Sequence, residues 1–403
     1  MKRTSLLLLA PCLLLFPSSC IQKEKANTEC DIESVSIHVD APSDIFYHDY
    51  DTMQTIISTS TDITFTTRSY AEVGLLPLTL RVTEGATVFL VGENGEEPFH
   101  NGSLVDFSDQ KVRKFRVVSE DKMWNRMYNI SILHDKPSEG NLSISFDSYA
   151  LDPSGKYYVW NAPDIFTDGQ WKNGNPGFKI SKSSAQPMEY PSTPVVGGGP
   201  DGSNCVKLET CDTGPFGKMV NMRLASGSMF NGIFDVSNAI KDALKATLMG
   251  SPFTHKPEQL RIWLRYEPGS FFQDRSAKPV EGIVDEPDVY VVLYRNEDPL
   301  GNKVQIDGGD VMTNPFIVGK GRLPHHLNAD GSDQLSGNPI HGLTSEWQEI
   351  IIPVVYTEEV DETILKDKGY NLLISIASSW QGGYFQGAVG SKLFIDKLRL
   401  FCD

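Results

Sequence analysis

The fold is decided by the stretch Gln259-Leu-Arg-Ile-Trp-Leu-Arg-Tyr266, in which apolar side chains occupy every second position. Because successive side chains of a β-strand point to opposite faces, this alternation predicts a strand with one face in a core. The core face carries Leu260, Ile262 and Leu264. The opposite face carries Arg261, Trp263 and Arg265. A tryptophan between two arginines is unusual for a face that meets only water, so this face is expected to bind a ligand or to be covered by another domain.

Further strands are predicted on both sides of this one. Segments rich in Val, Ile, Tyr and Phe indicate strands at 203–210, 288–295, 346–356, 370–377 and 391–401. One helix is predicted from Ser237 or Asn238 to Gly250, because Ile240, Leu244 and Leu248 recur at four-residue spacing. With 34 glycines and 24 prolines to separate short segments, the chain is predicted to be all-β with one short helix.

The chain is predicted to contain two domains. Residues 33–135 alternate with period two, as in Val35, Ile37 and Val39, and form a first β-sandwich. A polar segment with Pro137 and Gly140 predicts a linker at 136–144, followed by a larger β-sandwich at 145–403.

The first twenty residues indicate export. Lys2 and Arg3 precede an apolar run that is too short to cross a bilayer, which is typical of a signal peptide over residues 1–19. The following Cys20 resembles the lipidated cysteine of bacterial lipoproteins, although Pro17 stands where that motif usually has leucine. The resemblance implies a lipidated tether at 20–32 and an outer-membrane lipoprotein, at the cell surface or the periplasmic face. A plain secretory signal is the alternative.

The net charge indicates which classes of partner are disfavoured, and the spacing of the cysteines indicates whether they form disulfide bonds. A formal net charge of −16 argues against nucleic acid as a partner. Cys205 and Cys211 lie six residues apart in a predicted strand and cannot pair without a bend. Free thiols are therefore predicted at Cys30, Cys205, Cys211 and Cys402.

Two family resemblances extend this interpretation. The stretch from Gly250-Ser-Pro-Phe253 to Glu267-Pro-Gly269, with Lys207–Thr210 and Gly387–Asp396, resembles the putative carbohydrate metabolism domain of Bacteroidetes over residues 145–403. That family is similar to carbohydrate-binding jelly rolls, so the resemblance implies two antiparallel sheets with a concave groove. This chain departs from the family's motif at two positions. Ile262 stands where glycine is common, and Leu264 stands where a second aromatic residue is common. The strands at 105–108, 114–121 and 128–133 resemble the immunoglobulin-like modules behind the lipid anchor of Bacteroidetes surface proteins.

Several aromatic groupings are candidates for carbohydrate binding, because sugar C–H groups stack on rings while amides and charges bind the hydroxyls. Trp380-Gln-Gly-Gly-Tyr-Phe-Gln386 is the strongest, since two glycines let the backbone bend and present the rings. The candidate residues are Trp380, Gln381, Tyr384, Phe385, Trp263, Arg261, Arg265, Trp171 and Trp160. The alternative is that Trp160 and Trp171 fill the ends of the sandwich and that Trp380 belongs to the core.

A catalytic constellation is not evident. Glycoside hydrolysis needs two facing carboxylates, and the candidates Glu281, Asp285, Glu286 and Asp288 lie in a Pro-containing turn that is interpreted as a solvated loop. No cofactor is required by the sequence. A structural calcium at Asp396 is considered, whereas His325-His326 and the acidic segment 328–333 are interpreted as an insertion. The prediction is carbohydrate binding without cleavage. The alternatives are a glycoside hydrolase or polysaccharide-processing accessory enzyme, and an adhesin or pilus-associated subunit with a protein partner.

Overall fold

The computed structural model describes residues 25–68, 71–93, 95–135, 140–162, 166, 169–323 and 346–403. Within these residues the chain forms two consecutive β-sandwiches with a few short helices, which confirms the predicted all-β fold. None of the helices in these ranges has the length and apolar character needed to cross a membrane. The predicted signal peptide, Cys20 and the segment 325–333 lie outside the described residues.

The N-terminal sandwich packs a four-stranded sheet against a five-stranded sheet. In spatial order the first contains Met53–Thr55, Ile32–Ile37, Leu75–Val82 and Ser103–Asp106. The second contains Asp62–Thr67, Asn125–His134, Arg113–Val118, Thr87–Gly92 and Gly95–Pro98, with its first two strands parallel. Alternate residues of both sheets, including Val35, Ile37 and Phe65, are buried between them, as the period-two pattern predicts. The immunoglobulin-like assignment of this sandwich stays a prediction.

The C-terminal sandwich has two six-stranded antiparallel sheets, which we name the back sheet and the cleft sheet. The back sheet contains Ser192–Val195, Cys205–Glu209, Lys392–Cys402, Pro257–Glu267 and Gln348–Pro353, with Leu142–Ile144 added beside Lys392–Cys402. The cleft sheet contains Ser228–Phe230, Tyr370–Ala377, Asp288–Arg295, Ile317–Arg322 and Val355–Tyr356, with Ser251–Phe253 added beside Tyr370–Ala377. Two facing antiparallel sheets are the arrangement predicted for a jelly-roll sandwich.

The central strands explain how the sequence specifies this sandwich. Leu260, Ile262 and Leu264 of the back sheet are fully buried, which confirms the prediction made from their alternation. Asp288–Arg295 and Tyr370–Ala377 have the predicted bounds and are buried along almost their whole length. Both faces of these two strands are covered, so their sequences are nearly continuous apolar runs instead of alternating ones.

The predicted linker 136–144 extends too far. Leu142–Ile144 forms a strand in which Leu142 lies opposite Leu400, so the second sandwich begins before residue 145. Ion pairs also join the two sandwiches, between Lys368 and Asp135 at 2.5 Å and between Arg68 and Asp367 at 3.1 Å.

Smaller elements complete the described chain. Three short sheets contain the strands Tyr149–Leu151, Tyr158–Asn161 and Gln170–Trp171, the strands Cys211–Asp212 and Leu224–Ala225, and the strands Gly232–Phe234, Thr247–Met249 and Ile306–Asp307. The α-helices are Pro42–Ile45, Asn175–Ser181, Gly214–Met219 and Glu362–Lys366, and the 3₁₀-helices are Asp49–Thr52, Pro187–Glu189 and Gly382–Tyr384. The four cysteines 30, 205, 211 and 402 are free thiols, as predicted.

The prediction of a helix from Ser237 or Asn238 to Gly250 is wrong. The segment is a hairpin whose strands Gly232–Phe234 and Thr247–Met249 are joined by consecutive turns. The carboxylate of Asp235 accepts hydrogen bonds from the Ser237 backbone N–H at 2.9 Å and from Asn238 Nδ2 at 2.8 Å. These local bonds compete with helical ones. Of the three apolar side chains at four-residue spacing, Ile240 and Leu244 instead line a cleft.

Candidate functional site

A cleft of about 420 Å³ lies on the outer face of the cleft sheet, on the side away from the core. Its floor consists of strand residues, and its walls are contributed by five segments between residues 174 and 385. The floor residues include Asp288, Tyr290, Arg322, Ser375 and Ala377. The walls come from 174–181, 213–228, 234–249, 308–313 and 379–385. The cleft falls within the size range of small-ligand sites, about 300–1,000 Å³.

One wall is the aromatic loop, which we define as residues 380–386. Trp380, Gln381, Tyr384 and Phe385 all line the cleft, so four of the predicted site residues come together there. The ring of Tyr384 is 48% exposed. Gly382 is needed for close approach, because a Cβ at this position would collide with Ser226.

The aromatic loop is held at its base by a buried carboxylate. Asp285 Oδ2 accepts hydrogen bonds from Ser379 Oγ at 2.6 Å, Ser391 Oγ at 2.7 Å and the Ala388 backbone N–H at 2.7 Å. Burial raises the pKa of Asp285 to about 6, and the hydrogen bonds offset part of that effect. The loop is thus attached to the core on both sides.

The interpretation of 281–288 as a solvated loop is wrong for three of its four acids. Asp285, Glu286 and Asp288 are buried, and only Glu281 is exposed. Buried carboxylates need hydrogen bonds or cations, and the partners of Asp285 lie on strands and loops that are distant in the sequence. No local pattern could therefore have predicted this burial.

An ion pair forms part of the cleft floor. Arg322 donates Nε–H to Asp288 Oδ1 and Nη2–H to Asp288 Oδ2, both at 2.9 Å. Among the described residues that line the cleft, Asp288 is the only carboxylate. Most glycoside hydrolases use a second carboxylate across the scissile bond.

Trp160 and Trp171 require a correction. Both are buried in the core of the C-terminal sandwich, where they pair across the small sheet. Trp171 packs edge-on against Phe166 at a centroid distance of 4.8 Å. Neither ring can stack on a sugar while this core is intact, so the alternative interpretation, in which they fill the sandwich, is the correct one.

Trp263, Arg261 and Arg265 lie on the outer face of the back sheet, on the opposite side of the sandwich from the cleft. The guanidinium of Arg265 stacks on Phe394 at 3.6 Å and pairs with Glu267 at 3.0 Å. The guanidinium of Arg261 lies 4.7 Å from the centre of the Phe401 ring. The arginines therefore pack against neighbouring rings of the last strand, and the predicted sugar-binding role of this face is not linked to the cleft.

Asp396 lies next to Trp263 in the back sheet and is fully buried. Its oxygens accept hydrogen bonds from Ser203 Oγ at 2.5 Å and from the Lys397 backbone N–H at 2.8 Å. No group of three or more acidic, histidine or cysteine ligands forms in the described ranges. Calcium binding at Asp396 stays a prediction.

Most of the cleft was not predicted from the sequence. Phe178, Phe216, Phe234 and Met312 line it from two short helices, a short strand and a loop. Their segments show neither a motif nor a periodicity that marks a site. The one usable signal was the density of rings and glycines in the aromatic loop.

Comparison with known proteins places the C-terminal sandwich in a family. A family model described as "Putative carbohydrate metabolism domain" matches residues 145–401. A crystal structure of a "putative glycoside hydrolase" from Bacteroides thetaiotaomicron VPI-5482 is 26% identical, with a TM-score of 0.73, and the match covers 95% of this chain and 99% of that one. A second "putative glycoside hydrolase", from Bacteroides vulgatus ATCC 8482, is 28% identical with a TM-score of 0.55, covering 65% of this chain and 98% of that one. The search of curated proteins found no match.

Proposed function

We propose that this chain, which belongs to the putative carbohydrate metabolism domain family, binds carbohydrate in its cleft without cleaving it. The observation that carries the proposal is the aromatic loop, which brings Trp380, Tyr384 and Phe385 to one cleft together with the amide of Gln381. Rings offer stacking surfaces to sugar C–H groups, and the amide offers hydrogen bonds to hydroxyls.

Hydrolysis is the second candidate function, favoured by the two similar structures, each described as a "putative glycoside hydrolase". In this chain the cleft carboxylate Asp288 is bound bidentately by Arg322. Both oxygens of this carboxylate accept hydrogen bonds from Arg322, which suits a fixed position in the cleft floor better than proton donation to a leaving group. Binding is therefore the function that we propose.

Replacing Tyr384 with alanine should weaken glycan binding by about 1–3 kcal/mol, because the stacking surface of the ring is lost. The half-exposed ring contributes little to the core, so the melting temperature should stay unchanged. Glycan-array screening followed by calorimetry on the best ligand would measure the loss, with Tyr384→Phe as the conservative variant that keeps the stacking surface.

Two further measurements separate the alternatives. Trp263→Ala changes the same kind of side chain on the back sheet and should leave the affinity as in the wild type. Mass spectrometry should recover the glycan intact after incubation with the protein. Cleavage products that disappear in Asp288→Asn would replace the binding proposal with hydrolysis, and a selective loss in Trp263→Ala would move the site to the back sheet.

We also propose export and anchoring through Cys20, because Lys2 and Arg3 with the short apolar run before Cys20 have the pattern of a lipoprotein signal peptide. Several acyl chains on one cysteine give stable attachment, at about 0.8 kcal/mol per buried methylene. Cys20→Ser should move the protein from the membrane fraction to the soluble exported fraction, measured by fractionation and immunoblotting. Cys30→Ser, which changes a cysteine in the folded part of the chain, should leave the distribution unchanged. Retention of Cys20→Ser in the membrane would contradict anchoring, and protease treatment of intact cells would identify the leaflet.

A further inference from the structure

The wall next to the aromatic loop is aliphatic. It is formed by side chains from the turns at 235–246, from the residues that follow the helix Gly214–Met219, and from the 308–313 loop. The aliphatic wall consists of Val220, Met222, Ile240, Leu244, Val311 and Met312. None of these side chains carries a hydrogen-bond donor or a strong acceptor.

The aliphatic wall begins directly at the aromatic loop. A Cβ built on Gly383 would lie 3.0 Å from Leu244 Cδ2, so Leu244 touches the backbone of the loop. A ligand that stacks on the rings of Tyr384 or Trp380 therefore extends onto aliphatic carbon as it enters the cleft.

Most hydroxyl groups around the cleft already donate to protein atoms. Thr213 Oγ1 donates to the Met222 carbonyl at 2.6 Å, and Thr247 Oγ1 donates to the Leu244 carbonyl at 2.9 Å. Ser181 Oγ donates to the Phe178 carbonyl at 2.9 Å, and Ser379 Oγ to Asp285 at 2.6 Å. The Asp288 carboxylate is bound by Arg322. The polar groups of the walls and floor are thus largely used by the protein itself.

Sugar hydroxyls placed against the aliphatic wall would lose water without gaining hydrogen bonds, which disfavours binding. An alkyl or acyl chain in the same place gains free energy by leaving water. The two parts of the cleft therefore suit different parts of one ligand, with Gln381 and the exposed Tyr384 on the sugar side.

We propose that the cleft binds an amphipathic glycoconjugate, in which a sugar stacks on the aromatic loop and an aliphatic substituent, an alkyl or acyl chain, lies against the aliphatic wall. This inference rests on the proposed carbohydrate-binding function and names the class of carbohydrate that the cleft selects.

The test uses matched glycosides that differ only in chain length. Methyl and hexyl β-glycosides of glucose, galactose, mannose and N-acetylglucosamine, with hexanol alone, are titrated into the protein that begins at residue 20 and carries Cys20→Ser. Each methylene that leaves water contributes about a fourfold gain in affinity. The hexyl form of the recognised sugar should therefore bind at least about 30-fold more tightly than its methyl form, and more tightly than hexanol.

The variant Leu244→Ser places a hydroxyl on the aliphatic wall and should lower the hexyl advantage at least about threefold while the methyl glycoside binds as before. Leu300→Ser makes the same change at a residue that is 86% exposed and does not line the cleft, and should leave both affinities unchanged. Equal affinities for methyl and hexyl glycosides would overturn the amphipathic ligand and leave carbohydrate binding intact. Hexanol that binds as tightly as every hexyl glycoside, or the absence of binding by any glycoside at millimolar concentration, would overturn both.

Discussion

Trp171→Ala should lower the free energy of unfolding by about 3–5 kcal/mol, because it removes a buried indole and leaves a cavity in the core. The ring is 1% exposed and packs against Phe146 and Phe166, with centroid distances of 5.9 Å and 4.8 Å. Such contacts are too extensive for the site to close completely around an alanine. Chemical denaturation followed by circular dichroism measures the change.

The control is Trp124→Ala, which makes the same substitution at an indole that is 62% exposed. This variant should change stability by no more than about 0.5 kcal/mol, as is usual for surface positions. A Trp171→Ala protein that unfolds like the wild type but no longer binds glycan would instead assign this ring to a sugar site, the role for which the sequence made it a candidate.

The fold was largely predictable because a β-strand with one buried face has apolar residues at every second position of its sequence. The alternation at 259–266 identified the core face of the back sheet, and the apolar runs at 288–295 and 370–377 identified two strands with their observed bounds. The pattern at 237–250 failed because Ile240 and Leu244 face a cleft. A four-residue spacing of apolar side chains shows that they meet a common surface, and here turns bring them to that surface.

The site was predictable only where its residues are adjacent in sequence. The aromatic loop contributes Trp380, Gln381, Tyr384 and Phe385 from six consecutive positions, so its composition was visible. Trp160 and Trp171 looked similar, with an asparagine one and two residues later, but strand pairing places them opposite each other in the core. Which ring faces solvent depends on the packing of distant segments, and a single sequence does not contain that information in a local form.

The role of Asp285 in holding the aromatic loop could not be predicted either, because its partners are distant in the sequence. Its hydrogen-bond donors Ser379, Ala388 and Ser391 follow it by about a hundred residues. Its ordinary pKa of 3.8 rises to about 6 in the folded protein, chiefly through burial. The folded state therefore holds this proton more tightly than the unfolded chain does. The resulting stabilisation is complete below about pH 4 and is lost as the pH rises through about 6.

Asp285→Asn removes this titration while keeping the size of the side chain. The unfolding free energy of the wild type minus that of Asp285→Asn should fall between pH 4 and pH 7, by on the order of 3 kcal/mol. Denaturant titrations at each pH measure this difference. Glu281→Gln, which neutralises the exposed acid of the same segment, should show no such change with pH. If the unfolding free energy of the wild type minus that of Asp285→Asn instead rises with pH, the hydrogen bonds from the three donors outweigh burial and lower the pKa of Asp285. In that case the ionised carboxylate would be what holds the aromatic loop in place at neutral pH.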